Sequence, residues 1–228
     1  MTAIVLQYLP PGRDTAFLGI KQDYISIPGY LFFFYLHVFT AILALPAGFT
    51  QFSKSLRRRH PRLHRRLGKF YVGSILFAGA PSGLFIGFFA NGGVWSRLAF
   101  CLLAIAWTAT TALAWQTARA GNFAAHRAWM YRSFALTLSA LTLRGWKWLL
   151  VALFHPHPME VYRLVAWLGW TVNWAVAEYL IFHKPSKTTR HEIPADSGRS
   201  VAAGLQRTGA TQSGIENKRE KSAQHGSA

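Results

Sequence analysis

Acidic side chains and cysteine are both scarce in this chain of 228 residues. Eight Asp plus Glu stand against 25 Lys plus Arg, a formal net charge of +17, and Cys101 is the single cysteine. One cysteine excludes an intramolecular disulfide scaffold. There is no Gly-x-Ser-x-Gly block and no glycine loop of the Walker or dinucleotide type, so neither a hydrolase elbow nor a phosphate cradle is written here. Charge itself is missing from long stretches: residues 24–53, 70–96 and 98–118 hold no Asp, Glu, Lys or Arg. Each exceeds the roughly 18 apolar residues that mark a bilayer span, which excludes a soluble basic domain and a disordered chain. The surplus of cations therefore needs an explanation other than nucleic acid.

The apolar runs predict five spans, near residues 27–52, 70–90, 98–117, 129–154 and 162–182, and hence an all-α polytopic transmembrane helix bundle. The fourth carries Arg144 and Lys147 and the fifth carries Glu178, each costly in hydrocarbon unless buried or able to snorkel. Balanced charges at Asp14, Lys21 and Asp23 precede the first run, unlike the basic start of a cleaved signal. Residues 53–69 hold eight Lys or Arg and no acid, so the positive-inside rule puts that loop in the cytoplasm. The amino terminus then falls outside and the carboxyl terminus inside. Three regions are expected: a short outer segment at 1–26, the bundle at 27–182, and a disordered basic tail at 183–228 that grazes anionic lipid headgroups.

Within the bundle, Gly79, Gly83 and Gly87 recur every four residues and offer one face for close helix approach. Packing alone accounts for such a ladder. Pro46 and Pro81 predict local kinks. Trp95 and Trp146 fit the outer interface and Trp115 and Trp129 the inner one. Trp167, Trp170 and Trp174 form a stripe that reaches Glu178 at helical spacing, a face expected to turn toward the bundle.

A weak internal repeat opens spans two and four. The segment from His60-Pro61 leads to His64-Arg65, and the segment from Gly121-Asn122 leads to His126-Arg127. Pro61 suits a first helical position, with His60 as its cap, and Asn122 is a natural cap. Both His-Arg pairs then lie one turn into a helix, at matched depth near the inner face, as two similar hairpins related by an axis along the membrane normal would place them. Cations at a helix amino terminus are mildly unfavourable unless an anion is near, so each start is a candidate anion site; contact with lipid phosphates is the plainer account.

Intramembrane His37, the basic loop, Leu63 to Tyr71, His126 to Ser133 and the later Arg144 together resemble a bacterial family of predicted membrane proteins known as domain of unknown function 2306. The similarity covers residues 35–149, and its matching positions are His64, Arg65, Gly68, His126, Arg127, Trp129, Arg132 and Arg144. It implies a multi-pass protein of a bacterial inner membrane and no particular activity.

Two chemistries are open. The first is a non-enzymatic protein that binds or moves a small anionic or lipid ligand, since intramembrane ionisable residues are functional candidates by default. Arg144 and Lys147 share a helix face with Trp148 one turn on, and His37 falls at similar depth in the first span. Snorkelling competes for Lys147, and a helix-to-helix hydrogen bond competes for His37. The candidate ligand-binding set is His37, His64, Arg65, His126, Arg127, Arg132, Arg144 and Lys147. The alternative is electron transfer through b-type haem, with His64 and His126 as axial ligands and the neighbouring arginines at the propionates. Zinc at His60 and His64 has little support, because Pro61 intervenes and no cysteine or carboxylate is close in sequence.

Overall fold

The computed structural model describes residues 22–155 and 157–183. Among these every regular element is a helix. After α1 (Gln22–Ile25) come α2 (Tyr30–Gln51), α3 (Lys54–Arg59), α4 (Pro61–Ser74), a π-helical segment (Ile75–Gly79) and α5 (Ala80–Phe88). Then follow α6 (Val94–Arg119), α7 (Phe123–Thr137), α8 (Ser139–Phe154) and α9 (Pro158–His183). Four helical stretches are long and apolar enough to cross a bilayer: α2, the run Pro61–Phe88, α6 and α9. The pair α7 and α8, bent by 44° at the break, makes a fifth if it is one span. Of the disordered tail expected at 183–228, His183 instead ends α9, and the rest, like the first 21 residues, lies outside the described residues.

The basic segment 53–69 is not a loop. Ser53 caps α3 by accepting from the Leu56 amide at 3.2 Å, and Pro61 restarts the chain as α4, so Arg62 to Lys69 ride on the same rod as the second span. The physical reason is the one that makes Pro61 a good first residue: it has no amide hydrogen to leave orphaned and its φ is already helical. His60 precedes it without a side-chain cap bond. Asn122 does cap α7, its Oδ1 accepting from the Ala125 amide at 3.1 Å.

Pro81 leaves its mark one turn earlier. The Ala80 amide donates to the Ile75 carbonyl, a step of five residues, which absorbs the hydrogen bond that a proline cannot make. The fourth span departs from a straight rod without any proline. Asn173 of α9 donates to the Ala135 carbonyl at 3.0 Å and to Thr142 Oγ1 at 2.9 Å, one contact on each side of the break at Leu138. A side chain inserted at the helix carbonyl ladder is a sufficient cause of a sharp bend.

The core gathers α2, α4, the π segment, α6 and α7 around Tyr71, Ile75, Ala114 and Leu136, all nearly inaccessible. A second apolar cluster at the other end joins Tyr24 and Ile27 to Tyr30, Phe34 and Phe89. Small residues set the approach of α2 to its neighbours. A side chain at Gly48 would put its Cβ 2.6 Å from the Phe134 ring and 2.9 Å from that of Tyr71. The glycine ladder is likewise filled by packing: Gly79 receives Thr40 and Trp107, Gly83 receives the His37 imidazole, and Gly87 receives Phe100 and Cys101. α8 is the exception in this bundle, resting chiefly on α9 and exposing Trp148, Leu153 and Phe154.

Candidate functional site

The candidate residues fall into two groups at opposite ends of the bundle. At the basic end, His64 is the fourth residue of α4 and His126 the fourth of α7. Seven residues further along each helix stand Tyr71 and Ser133, and these meet, hydroxyl to hydroxyl, at 2.9 Å. Seven residues are two turns, so each histidine shares a helix face with its partner in that contact. The two histidine faces therefore look toward one another, and they come within electrostatic reach, with Arg57 and Arg65 also acting on His64.

Their ring atoms are not equivalent. His126 Nδ1 lies 2.8 Å from the Ala114 carbonyl oxygen; a carbonyl only accepts, so Nδ1 carries the hydrogen and Nε2 is turned the other way. His64 Nδ1 is buried with no hydrogen-bond partner among the described residues. Arg65 is exposed and its Nε reaches the Pro61 carbonyl at 3.4 Å, while Arg127 is exposed. Arg132 belongs elsewhere. Its guanidinium meets Glu178 of α9 with two prongs and sits 4.6 Å above the Trp129 ring.

At the other end, His37 of α2 is tied down by its neighbour helix. Its Nδ1 donates to the Gly79 carbonyl at 2.9 Å, and its ring fills the space that Gly83 leaves empty. Across from it stands Arg144, near enough to act on His37 electrostatically. Arg144 holds the Ala140 carbonyl of its own helix and is exposed. Together with Lys147, Trp148, Val151, Ala152 and His155 it lines a shallow, open depression of about 540 Å³ along α8. Beside it, a Cβ placed on Gly145 would meet nothing within 4 Å.

Between the two groups lies a polar knot that the residue spacing alone did not single out. Tyr71 Oη also contacts Thr137 Oγ1 at 2.8 Å, Thr111 Oγ1 contacts Ser133 Oγ at 2.7 Å, and the Trp107 indole donates to Thr137 at 3.0 Å. The repeat held the missing signal, because Tyr71 and Ser133 occupy the same position in their respective helices. Gln51 was missed for lack of any signal: it is buried against Gly68, whose Cβ would stand 2.9 Å from the amide oxygen.

No group of three or more His, Cys, Asp or Glu that could hold a metal ion occurs among the described residues. Helices of this length and hydropathy, with an interhelical ion pair and histidine contacts between helices, define a polytopic α-helical membrane protein. More particularly, the chain belongs to the family described as predicted membrane protein DUF2306, whose model matches residues 34–181. No curated protein and no solved structure matches it.

Proposed function

We propose that this protein binds or moves a small anionic or lipid ligand across or within the bilayer, at the Arg144 end of the bundle. The observation that carries the reading is the shared placement of Arg144, Lys147 and Trp148 on one open depression of a membrane helix, with His37 in electrostatic reach of Arg144. Two cations on such a face are expensive unless they meet an anion or bend to the interface. In the resulting mechanism Arg144 and Lys147 hold the anion by charge-assisted hydrogen bonds, while His37 stays tied to the Gly79 carbonyl within electrostatic reach of Arg144. The test is thermal melting of the detergent-purified chain with inorganic phosphate or a short-chain fatty acid. Stabilisation that rises with concentration and vanishes in Arg144→Gln supports the reading; no stabilisation by either anion refutes it.

A second reading rests on the facing histidines. His64 and His126 supply two imidazoles from two helices and no third ligand, which suits an iron that brings its own equatorial donors better than a bare zinc ion. Haem b would be held by those two rings, with Arg65 and Arg127 available to its propionates, and would supply one-electron chemistry. Absorption of the purified chain from haem-replete cells decides: a Soret band lost in His64→Ala or His126→Ala supports this reading, and a colourless protein removes it.

For orientation, we read the basic end as cytoplasmic in an inner membrane, with the carboxyl terminus inside and anionic headgroups against the cations of α3 and α4. A carboxyl-terminal reporter active only in the periplasm would overturn that assignment.

A further inference from the structure

We infer that the ligand of the Arg144 depression is a single-chain lipid acid that enters sideways from the bilayer, its carboxylate on Arg144 and Lys147 and its chain along α8. This rests on the anion-binding reading and narrows it to one substrate class. The depression runs along an exposed side of α8, a helix that leans mainly on α9; its lining includes the exposed Trp148 and Val151, and Leu153 and Phe154 are exposed at the same helix end. That side faces hydrocarbon in a bilayer, so a hydrophilic anion would have to shed its water to arrive by this route. An amphiphile keeps its chain in hydrocarbon throughout and brings only its head to the cations.

Arg144 lies ten residues before the end of α8 at Phe154, about 15 Å along the helix at 1.5 Å per residue, against a hydrocarbon core about 30 Å thick. A diacyl lipid is anchored with its phosphate at the interface. A single-chain acid can sink until its carboxylate meets the exposed Arg144 guanidinium, which lies back along α8 toward the Ala140 carbonyl. The break in the fourth span is built and not frayed. Asn173 and Thr142 satisfy the polar groups around the bend, with Thr142 Oγ1 donating to the Gly169 carbonyl at 2.6 Å. Beyond the bend α8 rests chiefly on α9, and the Arg144 side chain is exposed.

The test uses the full-length chain in phosphatidylcholine vesicles with stearic acid spin-labelled near its carboxyl group, read by electron paramagnetic resonance. The expected result is an immobilised component beyond the bulk lipid signal. In Arg144→Gln the affinity behind it falls roughly fivefold to tenfold, as loss of one charge-assisted contact implies. Arg144→Lys retains most of it, which separates loss of charge from loss of fold. The spin-labelled methyl ester shows no such component. Equal immobilisation of acid and ester, or of wild type and Arg144→Gln, overturns the inference. Inorganic phosphate binding that depends on Arg144, with no such dependence for the spin-labelled acid, overturns it too and leaves the broader anion reading standing; if neither probe senses Arg144, both fall.

Discussion

Arg132 and Glu178 join α7 to α9 through two parallel contacts, Nε to Oε1 at 2.6 Å and Nη2 to Oε2 at 2.8 Å. The pair is partly sheltered, with side chains 18% and 27% exposed. Trp129 lies under the guanidinium, so that charge is held from a second side. Geometry of this kind turns a pair that would be worth little in water into a fixed latch. A double-mutant cycle with Arg132→Met and Glu178→Gln, followed by thermal melting in detergent, is expected to give a coupling of about 1–3 kcal/mol. Additive single effects would show that the two helices do not depend on the latch.

Tyr71 is the centre of the hydroxyl knot, bonded to both Ser133 and Thr137. Tyr71→Phe keeps the ring that fills the core and removes only the hydroxyl. Interhelical hydrogen bonds in membranes are modest, so the expected loss is about 0.5–1.5 kcal/mol. Thr111→Val removes one further strand of the same knot, since Thr111 meets Ser133. The two changes share a partner, and their combined effect in the same melting assay should differ from the sum.

How much of this was legible beforehand depends on the range of the interactions. Pro61 and Asn122 announced their helix starts, because caps and first-turn prolines are local chemistry. The inward turn of Glu178 followed from its spacing to Trp174, again within one helix. The bend at Leu138 had no such sign: no proline stands there, and the side chain that bonds across it is Asn173, which lies 38 residues from the carbonyl it takes. The His37 site was half legible. Gly79 and Gly83 read as a close-packing face, yet only the approach of α2 shows that the imidazole occupies it. Arg132 counted as a candidate ligand residue from its family match, and only the fold pairs it with Glu178.

Two glycines in different helices give opposite predictions for one substitution. At Gly48 a new Cβ would lie 2.6 Å from the Phe134 ring, so Gly48→Ala must push the aromatic aside. Overpacking of this kind costs about 1–3 kcal/mol. At Gly145 the Cβ meets nothing within 4 Å, and Gly145→Ala gains helix propensity of up to about 1 kcal/mol. Melting temperatures of the two variants should therefore move in opposite directions from wild type. A fall in both would mean that α8 is covered at Gly145 in the assembled protein.

Asn173 offers the sharpest test of the broken span. Its amide reaches the Ala135 carbonyl before the break and Thr142 after it, while Thr142 also reaches back to the Gly169 carbonyl. Asn173→Leu keeps similar bulk on α9 and takes away both donated bonds. The Ala135 carbonyl then loses its cross-helix donor in a low-dielectric setting, a loss of about 1–2 kcal/mol. The more specific consequence is local: amides around the break should exchange with deuterium faster, while those of α6 remain protected, because only the bend has lost its clamp. Asn173→Asp is the informative contrast. It keeps the shape and, when ionised, presents oxygens alone to a carbonyl that needs a donor, so it should loosen the break more than leucine does. If both variants exchange like wild type around residues 135–142, the bend is held by the helices themselves and not by Asn173.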